Sequence, residues 1–135
     1  MPFVLDCSIT MSWVFPDEAT PATEALRDLL LEDQAVVPGL WPLEVANVLL
    51  VALRRGRIAE SELPQLVAAL EMLPIHVDPK TSEQVFSHTL RLAQAHNLSV
   101  YDAAYLELAQ REGLPLATLD ASLRSACEVA GVKSA

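Results

Sequence analysis

Basic residues are scarce in this sequence: 9 Lys and Arg stand against 18 Asp and Glu, for a net charge of −9. Proteins that coat nucleic acid hold phosphate mainly through Lys and Arg. That class is excluded, and a nucleic-acid substrate would need positive charge from another source. Only 4 glycines occur and no short repeat, so the chain is not fibrous. The two cysteines, Cys7 and Cys127, belong to no CxxC and to no Cys/His pair at metal spacing. They fit packing roles in a reducing compartment rather than a zinc site or a disulfide framework. Long apolar runs are also lacking. The most hydrophobic stretch, Gln34 to Leu53, contains Glu44 and is interrupted by Pro38, Gly39 and Pro42, whereas a membrane span needs about 20 predominantly apolar residues. Met1 to Pro16 carries Asp6 and no basic leader, so it does not read as a signal peptide and a cytoplasmic location is expected. There is no GxGxxG, no Walker A loop and no GxSxG elbow, and His76, His88 and His96 show no ligand spacing.

What is present is a 135-residue chain with 52% apolar residues, enough for one domain spanning 1–135 with its own core. Short runs rich in Val, Ile and Leu predict strands at Phe3–Asp6, Ala35–Val37, Ile75–Val77 and Pro115–Thr118. Helical patterns follow each of them. Thr20, Ser61, Thr81 and Ser99 read as N-caps, Pro21 and Pro42 as first-turn residues, and Gly56, Gly113 and Gly131 as helix stops. Ala22, Ala25, Leu26, Leu29 and Leu30 share one helical face, as do Leu63, Leu66, Val67 and Leu70, and both faces are expected to cover the sheet. Strands separated by helices imply an α/β sandwich of three layers, α/β/α, around a short, mostly parallel central sheet. In such folds ligands sit at the carboxyl ends of the strands.

Most of the acids lie in polar company, where a solvated surface explains them. Four do not. Asp6 is the only charge from Met1 to Pro16, Glu44 from Gln34 to Leu53, Asp102 from Leu92 to Leu106, and Asp120 from Gly113 to Leu123. An ionised carboxylate buried without a partner takes up a proton or finds a cation, and none of these segments contains Lys or Arg. Convergence of the four would worsen their mutual repulsion unless a divalent ion sat among them. An all-oxygen donor set without His or Cys suits Mg²⁺ or Mn²⁺.

Local explanations compete with that reading. Asp102 lies three residues after Ser99 in an S-x-x-D capping box, Asp120 fits an N-cap, and Glu44 fits the favourable end of a helix dipole. Asp6 is harder to explain locally. Ser8, Asn47 and Thr118 are polar companions placed to support the acids or to act as local caps. The run Arg54, Arg55 and Arg57 suits either a helix C-terminus or an RNA phosphate contact. Trp13, Trp41, Tyr101 and Tyr105 read as packing residues.

Val4-Leu5-Asp6-Cys7-Ser8, Pro42-Leu43-Glu44-Val45-Ala46-Asn47, Ser99-Val100-Tyr101-Asp102-Ala103-Ala104-Tyr105 and Leu116-Ala117-Thr118-Leu119-Asp120, in that order, span almost the whole chain. Together they resemble a PIN-domain ribonuclease, and more closely the VapC-like toxins of type II toxin–antitoxin modules. The resemblance implies a PIN-like fold and a Mg²⁺- or Mn²⁺-dependent endoribonuclease. Its acidic quartet falls on Asp6, Glu44, Asp102 and Asp120, with Asp6, Asp102 and Asp120 as metal ligands. It also implies an RNA substrate, a cognate antitoxin and a homodimer. Two positions depart from the family pattern: Ala121 follows Asp120 where many relatives have a basic residue, and Cys7 stands where Thr or Ser is frequent.

Two other functions remain as alternatives. A phosphoryl-accepting receiver domain needs adjacent acids after the first strand and a Lys after a late one, but Cys7 follows Asp6, and neither Lys80 nor Lys133 lies beside Thr118 to Asp120. A PIN-like protein that only binds RNA would keep the fold and lack cleavage.

Overall fold

The computed structural model describes residues 1–135. Four short strands, β1 (Phe3–Leu5), β2 (Ala35–Val37), β3 (Ile75–Val77) and β4 (Leu116–Ala117), form one sheet in the order β3-β2-β1-β4. Every pairing is parallel, with Val4 opposite both Val36 and Leu116, and Val36 opposite His76. The sequence predicted the strand positions and a mostly parallel sheet; the sheet is wholly parallel. Phe3, Val4 and Leu5 are buried, as a central strand covered on both faces requires. β3 is the edge, and its His76 and Val77 are exposed. A parallel bridge between Leu116 and Ser134 extends the opposite edge.

The helices are α1 (Cys7–Val14), α2 (Pro21–Leu29), α3 (Trp41–Arg54), α4 (Leu63–Glu71), α5 (Thr81–Gln84), α6 (Leu90–His96), α7 (Val100–Glu112) and α8 (Ala121–Ala130). A π-helical turn, Val85–Thr89, joins α5 to α6. Asn97 ends α6 in the left-handed conformation, φ 52°, which Asn tolerates because its short polar side chain bonds locally. Ser99 then opens α7 by accepting from the Asp102 N–H at 3.1 Å. Gly113 and Gly131 close α7 and α8 with positive φ, where a Cβ is disfavoured.

Two of the four expected N-caps differ. Ser61 lies inside a short 3₁₀ turn, Glu60–Glu62, whose Glu62 carboxylate accepts from the Ala59 N–H, so α4 starts after it. Thr81 is the first residue of α5 and donates its hydroxyl hydrogen bond to Asp78. Thr20 and Ser99 do cap.

The apolar stripe of α2 covers the sheet only in part. Thr20 and Thr23 form a reciprocal capping box, and Trp13 donates its indole N–H to the Thr23 carbonyl at 2.8 Å, so Thr23 faces inward. Leu30 is buried as well, but Ala22, Ala25 and Leu29 stay exposed. They line a groove of about 520 Å³ shared with Leu116 and Cys127. On α4, Leu63, Leu66 and Leu70 are half-buried and Val67 is exposed.

Strand order fixes where a site can form. From β1 the chain steps outward to β2 and β3, then crosses to β4 on the other side of β1. The switch point lies between β1 and β4, and the crevice outside their carboxyl ends is where an open parallel sheet takes its ligands. Asp6 follows β1 and Thr118 follows β4.

Candidate active site

Asp6 occupies the N-cap position of α1 with an extended backbone, φ −76° and ψ 150°, yet its side chain caps nothing. It is 6% exposed, and its Oδ2 accepts from two hydroxyls, Ser8 Oγ and Thr118 Oγ1, each at 2.7 Å. Both hydroxyls are held by the loop after β4: Ser8 Oγ accepts from the Leu119 N–H at 3.0 Å and Thr118 Oγ1 from the Asp120 N–H at 3.0 Å. Each hydroxyl therefore turns its proton to the same carboxylate oxygen. Oδ1 has no protein partner among these bonds, and no Lys or Arg pairs with Asp6.

Glu44 projects from the first turn of α3. Its carboxylate Oε1 accepts from the hydroxyl of Tyr105, whose ring is fully buried on α7. Trp41, at the start of α3, donates its indole N–H to Thr10 Oγ1 on α1 at 3.0 Å, which ties the helices carrying Asp6 and Glu44. Partial burial raises the Glu44 carboxyl above the usual carboxylate range; the charges of Asp6 and Asp102 push the same way, against the Tyr105 hydrogen bond. Burial, then the charges of Asp120 and Asp6, likewise raise Asp102. Glu44, Asp102 and Asp6 thus lie within electrostatic reach of one another, and Asp120 within reach of Asp102. They are graded in exposure, from buried Asp6 through half-buried Glu44 and Asp102 to exposed Asp120.

The local explanations survive in part. Asp120 does cap α8, its Oδ1 accepting from the Leu123 N–H at 3.0 Å. Asp102 donates its N–H to the Ser99 hydroxyl, and its carboxylate accepts nothing from the Ser99 N–H. Neither carboxylate joins a salt bridge. No three His, Cys, Asp or Glu side chains are grouped so as to hold an ion as they stand. The donor chemistry nonetheless fits a hard divalent cation: the acids offer only carboxylate oxygens, and no Lys or Arg forms a salt bridge with any of the four.

The remaining sequence candidates divide. Ser8 and Thr118 belong to the Asp6 network. Asn47 is exposed one turn beyond Glu44, makes no hydrogen bond to the acids, and lines a shallow cleft with Arg55 and Arg57. Arg54 lies ten residues after Glu44 on α3, about 15 Å along a helix rising 1.5 Å per residue. Arg57 is engaged elsewhere, with Asp17 at 2.9 Å, Glu18 at 2.8 Å and the Phe15 ring at 3.8 Å. Two further residues enter instead. Tyr105, read from the sequence as a packing residue, does pack but also donates its hydroxyl to Glu44. Arg124, for which the sequence gave no signal, donates Nη2–H to the Thr118 carbonyl at 2.7 Å.

Residues 3–129 match the PIN domain family. Ribonuclease VapC3 of Pyrobaculum aerophilum is 32% identical over 127 residues, covering 91% of this chain and 92% of that protein. Ribonuclease VapC1 of Mycobacterium tuberculosis is 36% identical over 110 residues, 77% of this chain and 79% of that protein. Among solved structures, PAE2754 from Pyrobaculum aerophilum superposes with a TM-score of 0.66 at 21% identity, covering 93% of this chain and 84% of its own. A toxin–antitoxin complex from Klebsiella pneumoniae gives a TM-score of 0.57 at 15% identity, covering 87% and 86%. At those identities the likeness is one of fold.

Proposed function

The chain belongs to the PIN domain family, and from that premise we propose that it is a divalent-metal-dependent endoribonuclease acting as the toxin of a toxin–antitoxin pair. The observation that carries this reading is the Asp6 carboxylate, buried at the switch point of a parallel sheet, fixed by two hydroxyls, without a salt-bridge partner and within electrostatic reach of Glu44 and Asp102. The relatives named ribonuclease VapC support the reaction class, and the toxin–antitoxin complex of like fold supports the biological setting.

Asp6, Asp102 and Asp120 would hold Mg²⁺ or Mn²⁺. When bound there, the ion would supply positive charge to polarise the phosphoryl group and make water a competent nucleophile near neutral pH. Ser8 and Thr118 hold the Asp6 carboxylate in place, since both hydroxyls donate to its Oδ2. Tyr105 keeps Glu44 turned into the crevice, where its carboxylate completes the ligand set or accepts a proton from the attacking water. Water adds to phosphorus as its proton passes to Glu44 or to solvent, the bond to the leaving ribose oxygen breaks, and that oxygen takes a proton from solvent water. A basic antitoxin segment laid over the acids would be electrostatically complementary, and no helix is long and apolar enough to cross a membrane.

The test is cleavage of a mixed RNA pool by antitoxin-free protein with Mg²⁺, with Mn²⁺ and with EDTA, beside Asp6→Asn. Cutting that requires both the metal and Asp6 is expected. Equal cutting in EDTA, or by Asp6→Asn, would overturn the proposal, and metal-independent RNA binding without cutting would favour the binding-only alternative.

A further inference from the structure

A polyanionic substrate must approach a chain of net charge −9. The basic run at the end of α3 does not meet it at the acids, being about 15 Å along the helix from Glu44 and, for Arg57, paired with Asp17 and Glu18. One cation is placed differently. Arg124 is the only Lys or Arg whose side chain hydrogen-bonds a residue of the Asp6 network: its Nη2–H goes to the Thr118 carbonyl at 2.7 Å, while the Thr118 hydroxyl donates to Asp6.

Its position follows from α8. Asp120 is the N-cap and Arg124 lies four residues on, so both sit on one helix face. Side chains on a helix lean toward its N-terminus, which carries the guanidinium back to the end of β4. No carboxylate pairs with it. A guanidinium has five N–H donors in a planar fork, and one carbonyl occupies only part of it. The anchor fixes the group while its charge and remaining donors stay available. It also stands on the wall of the groove between α2 and α8, about 520 Å³, which runs on from Thr118 and Leu119 past Leu29 and Cys127.

Resting on the ribonuclease reading, we propose that Arg124 is a substrate-binding residue that holds a phosphate of single-stranded RNA adjacent to the scissile one, where the strand leaves the acids toward the α2–α8 groove. A planar fork suits phosphate oxygens. The contact would be independent of base identity.

The test uses mixed-sequence single-stranded RNA and the variants R124Q and R124K in two arms. In the first, cleavage rates of the full chain with Mn²⁺ give kcat and KM across a salt series. In the second, fluorescence anisotropy gives RNA affinity in the Asp6→Asn background, with and without R124Q. We expect R124Q to raise KM and Kd about tenfold, as loss of a charge-assisted bond does, with kcat within about twofold. The slope of log affinity against log salt should fall by about 0.7, the value for one phosphate of a single strand. R124K, which keeps the charge, should restore the slope. Unchanged Kd and slope in R124Q, or a fall in kcat and melting temperature at constant KM, would overturn the assignment. If the parent protein cuts no RNA, the ribonuclease reading fails, and the anisotropy arm still decides whether Arg124 holds RNA.

Discussion

Thr118 Oγ1 and Asp6 Oδ2 lie 2.7 Å apart across 112 residues of sequence. This bond, with its counterpart from Ser8, joins the ends of β1 and β4 and fixes the carboxylate on which the rest of the site is arranged. Neither hydroxyl is free to rotate away, because a backbone N–H of the β4–α8 loop occupies the lone pair of each.

Removing one of the two donors should therefore weaken the site without dismantling the fold. For Thr118→Val and for Ser8→Ala we expect cleavage to fall about 10- to 100-fold, the usual consequence of losing a supporting bond to a metal-binding carboxylate. Stability should drop by about 1–3 kcal/mol, the range for a hydrogen bond to a charged group. Paired measurement of RNA cleavage and urea midpoints checks both. Full activity in the double variant would show that Asp6 needs no such support.

Tyr105→Phe isolates a second supporting contact. The ring is fully buried and Phe fills the same space, so the change removes only the donor to Glu44. Glu44 then faces Asp6 and Asp102 with no hydrogen-bond partner, and a drop in stability of about 1–2 kcal/mol is expected. Cleavage should fall at least about tenfold while RNA binding holds. Thermal melts beside kcat and KM separate the two effects; unchanged kcat would leave Tyr105 as a packing residue.

Away from the site, Asp78 and Arg111 predict the acid limb of stability. Burial opposes charge on Asp78, but the Arg111 guanidinium, the Thr81 hydroxyl and the Lys80 N–H outweigh it and hold the carboxyl below the usual range. A carboxyl lowered on folding contributes stability that is complete above its unfolded value, about 3.9, and is lost as pH falls through the folded one. The difference in urea midpoint between the parent chain and Asp78→Asn should stay level from neutral pH down to about pH 4 and then shrink, a comparison in which the opposite contributions of the raised Glu44 and Asp102 carboxyls cancel. Asp78→Asn should be less stable at neutrality and show a flatter limb.

Arg111 also reaches Glu107 at 2.7 Å, and both carboxylates are almost fully buried. Replacing it with Met would leave two buried acids without a counter-charge. The expected loss is about 3–5 kcal/mol, the range for breaking a buried pair from one side, read from the same denaturation curves. A loss under about 1 kcal/mol, typical of an exposed pair, would show that solvent screens the cluster.

How much of this was legible in the sequence depended on range. β1 was plain because a strand covered on both faces must be apolar throughout, and Asp6 was plain because it is the one charge in that segment. The inward face of α2 was misjudged because hydrophobic period alone cannot register that Thr23, held by its capping box and by Trp13, is the buried residue. Tyr105 read as packing because its hydroxyl meets a partner 61 residues away. The run Arg54, Arg55 and Arg57 suggested a phosphate contact by composition, and helix length sets it apart from the acids. Arg124, a single base on an amphipathic helix, looks ordinary until the fold brings it to Thr118.

Cys7 supplies the last prediction. A thiol at the first residue of a helix usually becomes more acidic. Here burial, then the charges of Glu44 and Asp6, push the Cys7 thiol up to about 12, and burial with Asp6 pushes Cys127 up to about 11. Both are therefore neutral at physiological pH, and neither can serve as a nucleophile in a reaction that runs there. Iodoacetamide at pH 8 should label the folded chain at least about 100-fold more slowly than the chain in urea, because only the thiolate reacts and an unperturbed thiol ionises near 8.5. RNA cleavage should persist through that treatment. Rapid labelling of Cys7 in the folded state, or activity lost in step with it, would show an open thiol beside Asp6 and a crevice less tightly packed than the one described.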